Sequence, residues 1–171
     1  MKYALLFFAL SGLGVLSAQT KVQDVDNPGR NPVQVSVAKT ATKSLAAAGA
    51  IQAIDPMSRP AHSQALAAGR GLAVALAALG DREGALAQAR DTIARANADA
   101  AVRSEKNLNA LYAAKGWLAL AAVHRAFSDW KAVQAAAERA LQEAAGGGED
   151  TGLLQASAEA QRLIAECRGR D

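Results

Sequence analysis

The stretch that decides the fold is GLAVALAALGDREGALAQARDTIARA, residues 71–96. A second stretch, GWLALAAVHRAFSDWKAVQAAAERALQEA at residues 116–144, has the same organisation. Each contains an apolar run at helical spacing, a short polar break at Gly80-Asp81 or Ser128-Asp129, and a second run rich in alanine. Repetition of a helix-turn-helix unit predicts an all-α protein built from antiparallel helical hairpins.

The helical pattern continues from residue 61 to the end of the chain. It predicts about five helices, at 62–79, 82–103, 106–127, 129–145 and 151–167. Gly80 suits the position after a helix end, Asp81 suits the N-cap of the next helix, and Ser128 or Asp129 would cap the fourth. We therefore predict one helical domain at 61–171.

Residues 19–60 differ from this domain because they contain all four prolines. Three valines within Val33–Val37 alternate with polar residues, which is the period of a strand. The preceding DNPGRNP, residues 26–32, is typical of turns. We predict an irregular arm or linker at 19–60 that could include a short β-hairpin of Val22–Val25 with Val33–Val37. A short helix is predicted from Ser44, as its N-cap, to Ile54, ended by Pro56.

Residues 1–18 have the pattern of a secretory signal peptide. Lys2 precedes an apolar run from Ala4 to Leu16, and the small residues Ser17 and Ala18 follow. We predict cleavage after Ala18 and a periplasmic or secreted location in a bacterium. The apolar run is short for a membrane span, so no stable span is expected after cleavage. An uncleaved N-terminal anchor is the alternative.

Charge and cysteine content restrict the partners. The chain has 19 Lys and Arg against 16 Asp and Glu, a net charge of +3, with no dense basic block. This balance gives no support for a nucleic-acid partner. Cys167 is the only cysteine, which excludes an intramolecular disulfide and a multi-cysteine metal site. It falls on the apolar face of the last predicted helix, so we expect a buried thiol.

The sequence contains no constellation typical of catalysis. His62 and His124 are the only histidines, and neither has a partner at metal-ligand spacing on its own helix. There is no nucleophile elbow, no HExxH and no P-loop. The interpretation is a protein that is not an enzyme and that holds no metal and no cofactor.

Large side chains are concentrated in the second unit. The aromatic residues that follow the predicted signal all lie between Tyr112 and Trp130. Aromatic rings bury more area than the alanines that fill the other helices. A structural role is predicted for Trp117, Leu120, Ala121, Phe127 and Trp130.

The two units resemble the tetratricopeptide repeat, whose pattern opens with Trp-x₂-Leu-Gly-x₂-Tyr and later carries small residues where the second helix crosses the first. The matching residues of the second unit are Trp117, Leu120, Ala121, His124, Val133, Ala137 and Ala140. Those of the first unit are Gly69 (at the tryptophan position), Leu72, Ala73, Leu76, Ala85, Ala89 and Thr92. The breaks at Gly80 and Ser128 are 48 residues apart, whereas the usual period is about 34.

This resemblance implies a function in protein binding. In such repeats the first helix of each unit lines a groove that receives a peptide. The corresponding residues here are Arg70, Val74, Ala77, Lys115, Leu118, Ala122 and Arg125. Three cations on a partly apolar strip would suit an acidic peptide or a C-terminal carboxylate. The expected protein is an adaptor or assembly factor of the bacterial envelope.

Two alternatives remain open at this stage. The helices could form a plain antiparallel bundle instead of a repeat array. The protein could also be structural, a helical bundle that forms homo-oligomers through the Val33–Val37 segment or an alanine-rich face.

Overall fold

The computed structural model describes residues 31–102, 104–146 and 150–170. These residues form six α-helices and no strand, which confirms the all-α prediction. We number them in chain order: α1 Pro32–Ile54, α2 Arg59–Ala78, α3 Arg82–Val102, α4 Lys106–Ala126, α5 Trp130–Ala144 and α6 Thr151–Arg168. The predicted signal peptide at 1–18 and the predicted Val22–Val25 strand lie outside the described residues.

The prediction of a strand at Val33–Val37 is wrong, because these residues form the first turns of α1. The side chain of Asn31 accepts a hydrogen bond from the Val33 N–H at 3.0 Å and so caps the helix. Pro32 occupies the first helical position, where its missing N–H leaves no bond unmade. Three alternating valines span too few residues to distinguish a strand from a helix when such an N-terminal signal is overlooked.

Helix α1 also replaces most of the predicted irregular arm. It runs through Ser44, which is therefore not an N-cap, and ends at Ile54 before Pro56, as the proline predicted. Its buried residues follow a helical spacing: Ala38, Ala41, Leu45 and Ala48. They pack along α2, so α1 belongs to the helical body.

The turn between α2 and α3 has a well-defined backbone geometry. The Asp81 N–H donates to the carbonyl of Leu76 at 3.0 Å, and the Gly80 N–H donates to that of Ala77 at 3.0 Å. This pair of bonds defines a Schellman motif, and Gly80 has the positive φ of 81° that the motif requires. The Asp81 carboxylate then caps α3 by accepting from the Gly84 N–H at 2.8 Å.

The turn between α4 and α5 repeats this geometry 48 residues later. The Asp129 N–H donates to the carbonyl of His124 at 3.1 Å, and the Ser128 N–H donates to that of Arg125 at 3.0 Å. Ser128 has a φ of 57°, and the Asp129 carboxylate accepts from the Ala132 N–H at 3.4 Å. The sequence repeat is therefore a repeat of backbone structure at both turns.

The helices pack in two layers. Each helix contacts the next one in the chain, and α4 also contacts both α2 and α6. The even-numbered helices therefore lie side by side and form what we call the inner layer. Among the described residues, α1, α3 and α5 make no comparable contacts with one another.

Small residues set the distance between the layers. The fully buried side chains include only a few large ones, namely Leu72, Leu76, Val123, Val133 and Leu153. Alanines fill most of the remaining core. Helix α4 lies at the centre, with α2 and α6 beside it and α3 and α5 above it. It carries most of the residues that the sequence assigned to the core or to a binding surface.

Candidate binding surface

The residues predicted to line a groove divide into surface and core positions. Val74 on α2 is exposed, and Arg70 on α2 and Lys115 on α4 are partly exposed. Ala122 is also partly exposed, and Arg125 is exposed, near the end of α4. We call these five residues, Arg70, Val74, Lys115, Ala122 and Arg125, the inner-layer stripe.

Ala77 and Leu118 do not belong to this stripe. Ala77 is 7% exposed and Leu118 is 6% exposed, and both are members of the hydrophobic core. Their prediction as groove residues is therefore wrong. The helix of Ala77 contacts three other helices and that of Leu118 contacts four, so each buries more of its circumference than the first helix of an isolated hairpin does.

Arg70 on α2 is a partly buried cation. Burial lowers the pKa of its guanidinium, and Tyr112 of α4 and Glu159 of α6 act in the opposite direction. Arginine remains charged in proteins because its unperturbed pKa is so high. The side chain is thus a partly desolvated cation on α2.

Arg125 is paired with an acidic residue of the last helix. Its Nε and one terminal nitrogen each lie 3.1 Å from Oε1 of Glu166 on α6. Arg170 reaches the same carboxylate at 3.6 Å. A ligand carboxylate would have to displace Glu166 in order to bind Arg125, so this cation contributes less to the stripe than its sequence position suggests.

The acidic residues of α6 are the part of the surface that sequence reasoning missed. Glu159 and Glu166 are seven residues apart, so they lie on one face of α6. That spacing was visible in the sequence. The pairing of Glu166 with Arg125 depends on how α6 packs against α4, which the sequence does not encode locally.

The residues predicted to be structural lie in or against the core. Leu120 and Ala121 are buried, and Trp117, Phe127 and Trp130 are partly buried and pack against the core. The guanidinium of Arg170 lies 3.9 Å from the centre of the Trp130 ring. A cation over an indole face is a favourable contact that also shields the ring from water.

A polar cluster connects the two repeated turns. A terminal nitrogen of Arg82 lies 3.3 Å from Oδ2 of Asp129 and its guanidinium lies 5.5 Å from the Phe127 ring centre. His124 Nδ1 is 3.4 Å from the same carboxylate. Burial lowers the pKa of His124, and Asp129 partly offsets this effect. These contacts hold the α2–α3 turn against the α4–α5 turn.

The other histidine pairs with a buried acid. Nδ1 of His62, at the start of α2, lies 3.3 Å from Oδ1 of Asp99, near the end of α3. Its Nε2 lies 2.9 Å from the carbonyl oxygen of Pro56. This contact closes one end of the α2–α3 hairpin. Sequence spacing could not reveal it, because the two residues are on different helices.

No group of three or more His, Cys, Asp or Glu side chains among the described residues is arranged to hold a metal ion. None of the described helices combines the length and apolar character that a bilayer crossing requires.

Comparison of the chain with protein-family models, with curated proteins and with solved structures gives no match. Function is therefore inferred from the residues and their arrangement.

Proposed function

We propose that this chain is an exported, non-catalytic interaction module of the bacterial envelope. Its hairpins are similar to tetratricopeptide repeats, and its inner layer binds an acidic peptide. The observation that carries the proposal is the side-by-side packing of α2, α4 and α6. Arrays that expose one row of parallel helices offer an extended surface to a peptide. The resemblance of both units to the repeat pattern gives the same expectation.

The chemistry of the inner-layer stripe favours an acidic ligand with some apolar side chains. Lys115 contributes a partly exposed ammonium group near the middle of α4, and Arg70 contributes a partly desolvated guanidinium. Val74 offers an exposed apolar contact one turn along α2 from Arg70. Charge-assisted hydrogen bonds formed at such half-buried sites are stronger than those at fully exposed ones.

Lys115 is the best residue for a test of this binding surface. Reversal of Arg125 would place a carboxylate against Glu166, and reversal of Arg70 would bury a negative charge, so both would perturb the fold. Lys115→Glu avoids these effects. Lys131, an exposed lysine of α5 in the outer layer, provides a matched control as Lys131→Glu.

The experiment is an affinity pull-down from envelope extract with the wild type and both variants. We expect a protein that the wild type and Lys131→Glu retain and that Lys115→Glu loses, while all three melt at similar temperatures. Equal retention by the three baits would reject the inner-layer stripe as the binding surface.

Export is tested separately at the N-terminus. The proposed signal peptide is supported by Lys2, the apolar run to Leu16 and the small residues before Gln19. N-terminal sequencing of protein recovered from the periplasm or the medium should begin at Gln19. Recovery of the intact chain from the membrane fraction would support the anchor alternative.

A further inference from the structure

Helix α1 exposes a continuous row of uncharged side chains. The row consists of Val33, Val37, Thr40, Ser44, Ala47, Ile51 and Ile54, and we call it the α1 stripe. Its members alternate at spacings of four and three residues, which places them on one face of a helix. The four large members are well exposed: Val33 64%, Val37 43%, Ile51 44% and Ile54 89%. Four β-branched apolar side chains on one face of one helix mark an interaction surface.

The order of large and small side chains along the α1 stripe is the same from either end of the helix. Two large residues stand at each end, and three small residues stand between them. If a second α1 lies antiparallel across the first, Val33 opposes Ile54, Val37 opposes Ile51, and Ser44 opposes its own copy. A two-fold interface requires this self-complementarity, since each contact between residues i and j occurs twice. The small central residues would let the two helices approach closely.

The packing of the array gives a second, independent indication. Helix α2 lies against α3 and α4, and α4 lies against α5 and α6. By the same pattern a further helix would lie against α1 and α2, antiparallel to α1, and no described helix occupies that position. A groove of about 390 Å³ is found there, lined mainly by small residues that include Thr40, Ala67 and Gly71. Val37, Thr40 and Ser44 of the α1 stripe line the same groove.

We propose that two copies of this chain form a two-fold dimer in which α1 of each copy lies antiparallel in the α1–α2 groove of the other. The helix has 23 residues, so at 1.5 Å per residue the contact is about 34 Å long. An antiparallel α1 has the direction that the array requires at this position. The dimer would bury the large apolar side chains at both ends of the stripe and close the groove.

The first test is the mass of the full-length protein in solution, measured by sedimentation equilibrium over a range of concentrations. We expect a reversible dimer and, for Ile51→Glu, a dissociation constant at least tenfold higher. Because the dimer is two-fold, the substitution places two charges in the interface. Leu154→Glu is the matched control, since Leu154 is a 55% exposed apolar residue of α6 at the other end of the array. Its dissociation constant should stay within twofold of the wild type.

A substitution that increases the apolar area of α1 distinguishes the proposed antiparallel dimer from non-specific association. Ala47→Leu adds apolar surface to an exposed position of the α1 stripe. Non-specific association would become stronger. In the antiparallel dimer the larger side chain meets the small centre of the opposite helix, so the dissociation constant should rise by at least threefold.

The axis of the dimer is tested by cross-linking under mild oxidation. Ser44→Cys should give a disulfide-linked dimer at least tenfold faster than Ala46→Cys, because position 44 opposes itself whereas Ala46 is exposed on another face of α1. A monomeric wild type, equal cross-linking at the two positions, or an equal loss of the dimer in Leu154→Glu would each overturn the proposal. None of these substitutions lies in the inner-layer stripe. A result that overturns the dimer therefore does not bear on the proposed peptide binding, which the Lys115→Glu pull-down tests separately.

Discussion

Gly69 on α2 lies directly against Thr92 on α3. A methyl group added to Gly69 would lie 2.5 Å from Oγ1 of Thr92. That hydroxyl is buried and donates to the carbonyl of Gln88 at 2.9 Å, so it cannot move aside freely.

Gly69→Ala should therefore destabilise the protein although alanine favours helices. Overpacking of this kind costs about 1–3 kcal/mol. Gly71→Ala is the matched control on the same helix, because no atom lies within 4 Å of the added methyl group. It should gain about 0.5–1 kcal/mol from helix propensity. Urea denaturation measures both changes, and equal effects of the two substitutions would contradict the close contact.

The positive φ of Ser128 predicts a gain in stability from glycine at that position. A left-handed conformation costs a residue with a Cβ atom about 1 kcal/mol, a cost that glycine does not carry. Ser128→Gly should raise the free energy of unfolding by about that amount, and Gly80→Ser should lower it similarly. If the two turns have the same geometry, the changes should be opposite in sign and similar in size in thermal or urea unfolding.

The stability of the protein should depend on pH through His124. Burial lowers its pKa in the folded state below the usual histidine value of about 6.5, so the unfolded chain binds the proton more readily. Stability then rises with pH wherever the unfolded state holds more protons. The contribution of His124 to the free energy of unfolding is complete above about pH 6.5. It is lost as the pH falls through the pKa of the folded state. His124→Gln should flatten the curve of unfolding free energy against pH in this range.

His62→Gln is the control for that pH dependence. It removes the other histidine of the chain, so the part of the slope that is due to His124 should survive. A slope that His124→Gln leaves unchanged would show that other groups cause the dependence.

Cys167 should react slowly with a thiol reagent in the folded protein. It is 2% exposed, and its Sγ lies 3.6 Å from the carbonyl oxygen of Trp130 as a weak hydrogen-bond donor. Reaction therefore requires local or global opening, and the labelling rate should rise with urea as the protein unfolds. Ala165→Cys, at an exposed position of the same helix, should add a fast phase. Rapid labelling of the wild type would contradict the packing of α6.

The helical hairpins could be predicted because their boundaries are encoded locally. Gly80-Asp81 and Ser128-Asp129 supply the residues that a Schellman motif and an N-cap need, and both turns form there. Burial of Cys167 followed from the spacing of apolar residues in α6. These features depend on residues that are close together in the sequence.

The features that could not be predicted depend on packing between distant residues. The start of α1 is an exception, because Asn31 and Pro32 are local helix-start signals and the strand-like period at Val33–Val37 conflicts with them. The pairing of Arg125 with Glu166, and the burial of Leu118, both follow from α4 lying between α2 and α6. No local pattern carries that information.

Because the two turns have the same backbone geometry, residues 81–128 form a unit that could be deleted or duplicated as a whole. This segment begins just after Gly80 and ends at Ser128, and each end joins an aspartate that caps the next helix. Its deletion would join Gly80 to Asp129, and its duplication would join Ser128 to a second Asp81. Either junction keeps a residue with positive φ followed by a capping aspartate. The chain can thus gain or lose one outer and one inner helix in a single recombination step without a new turn.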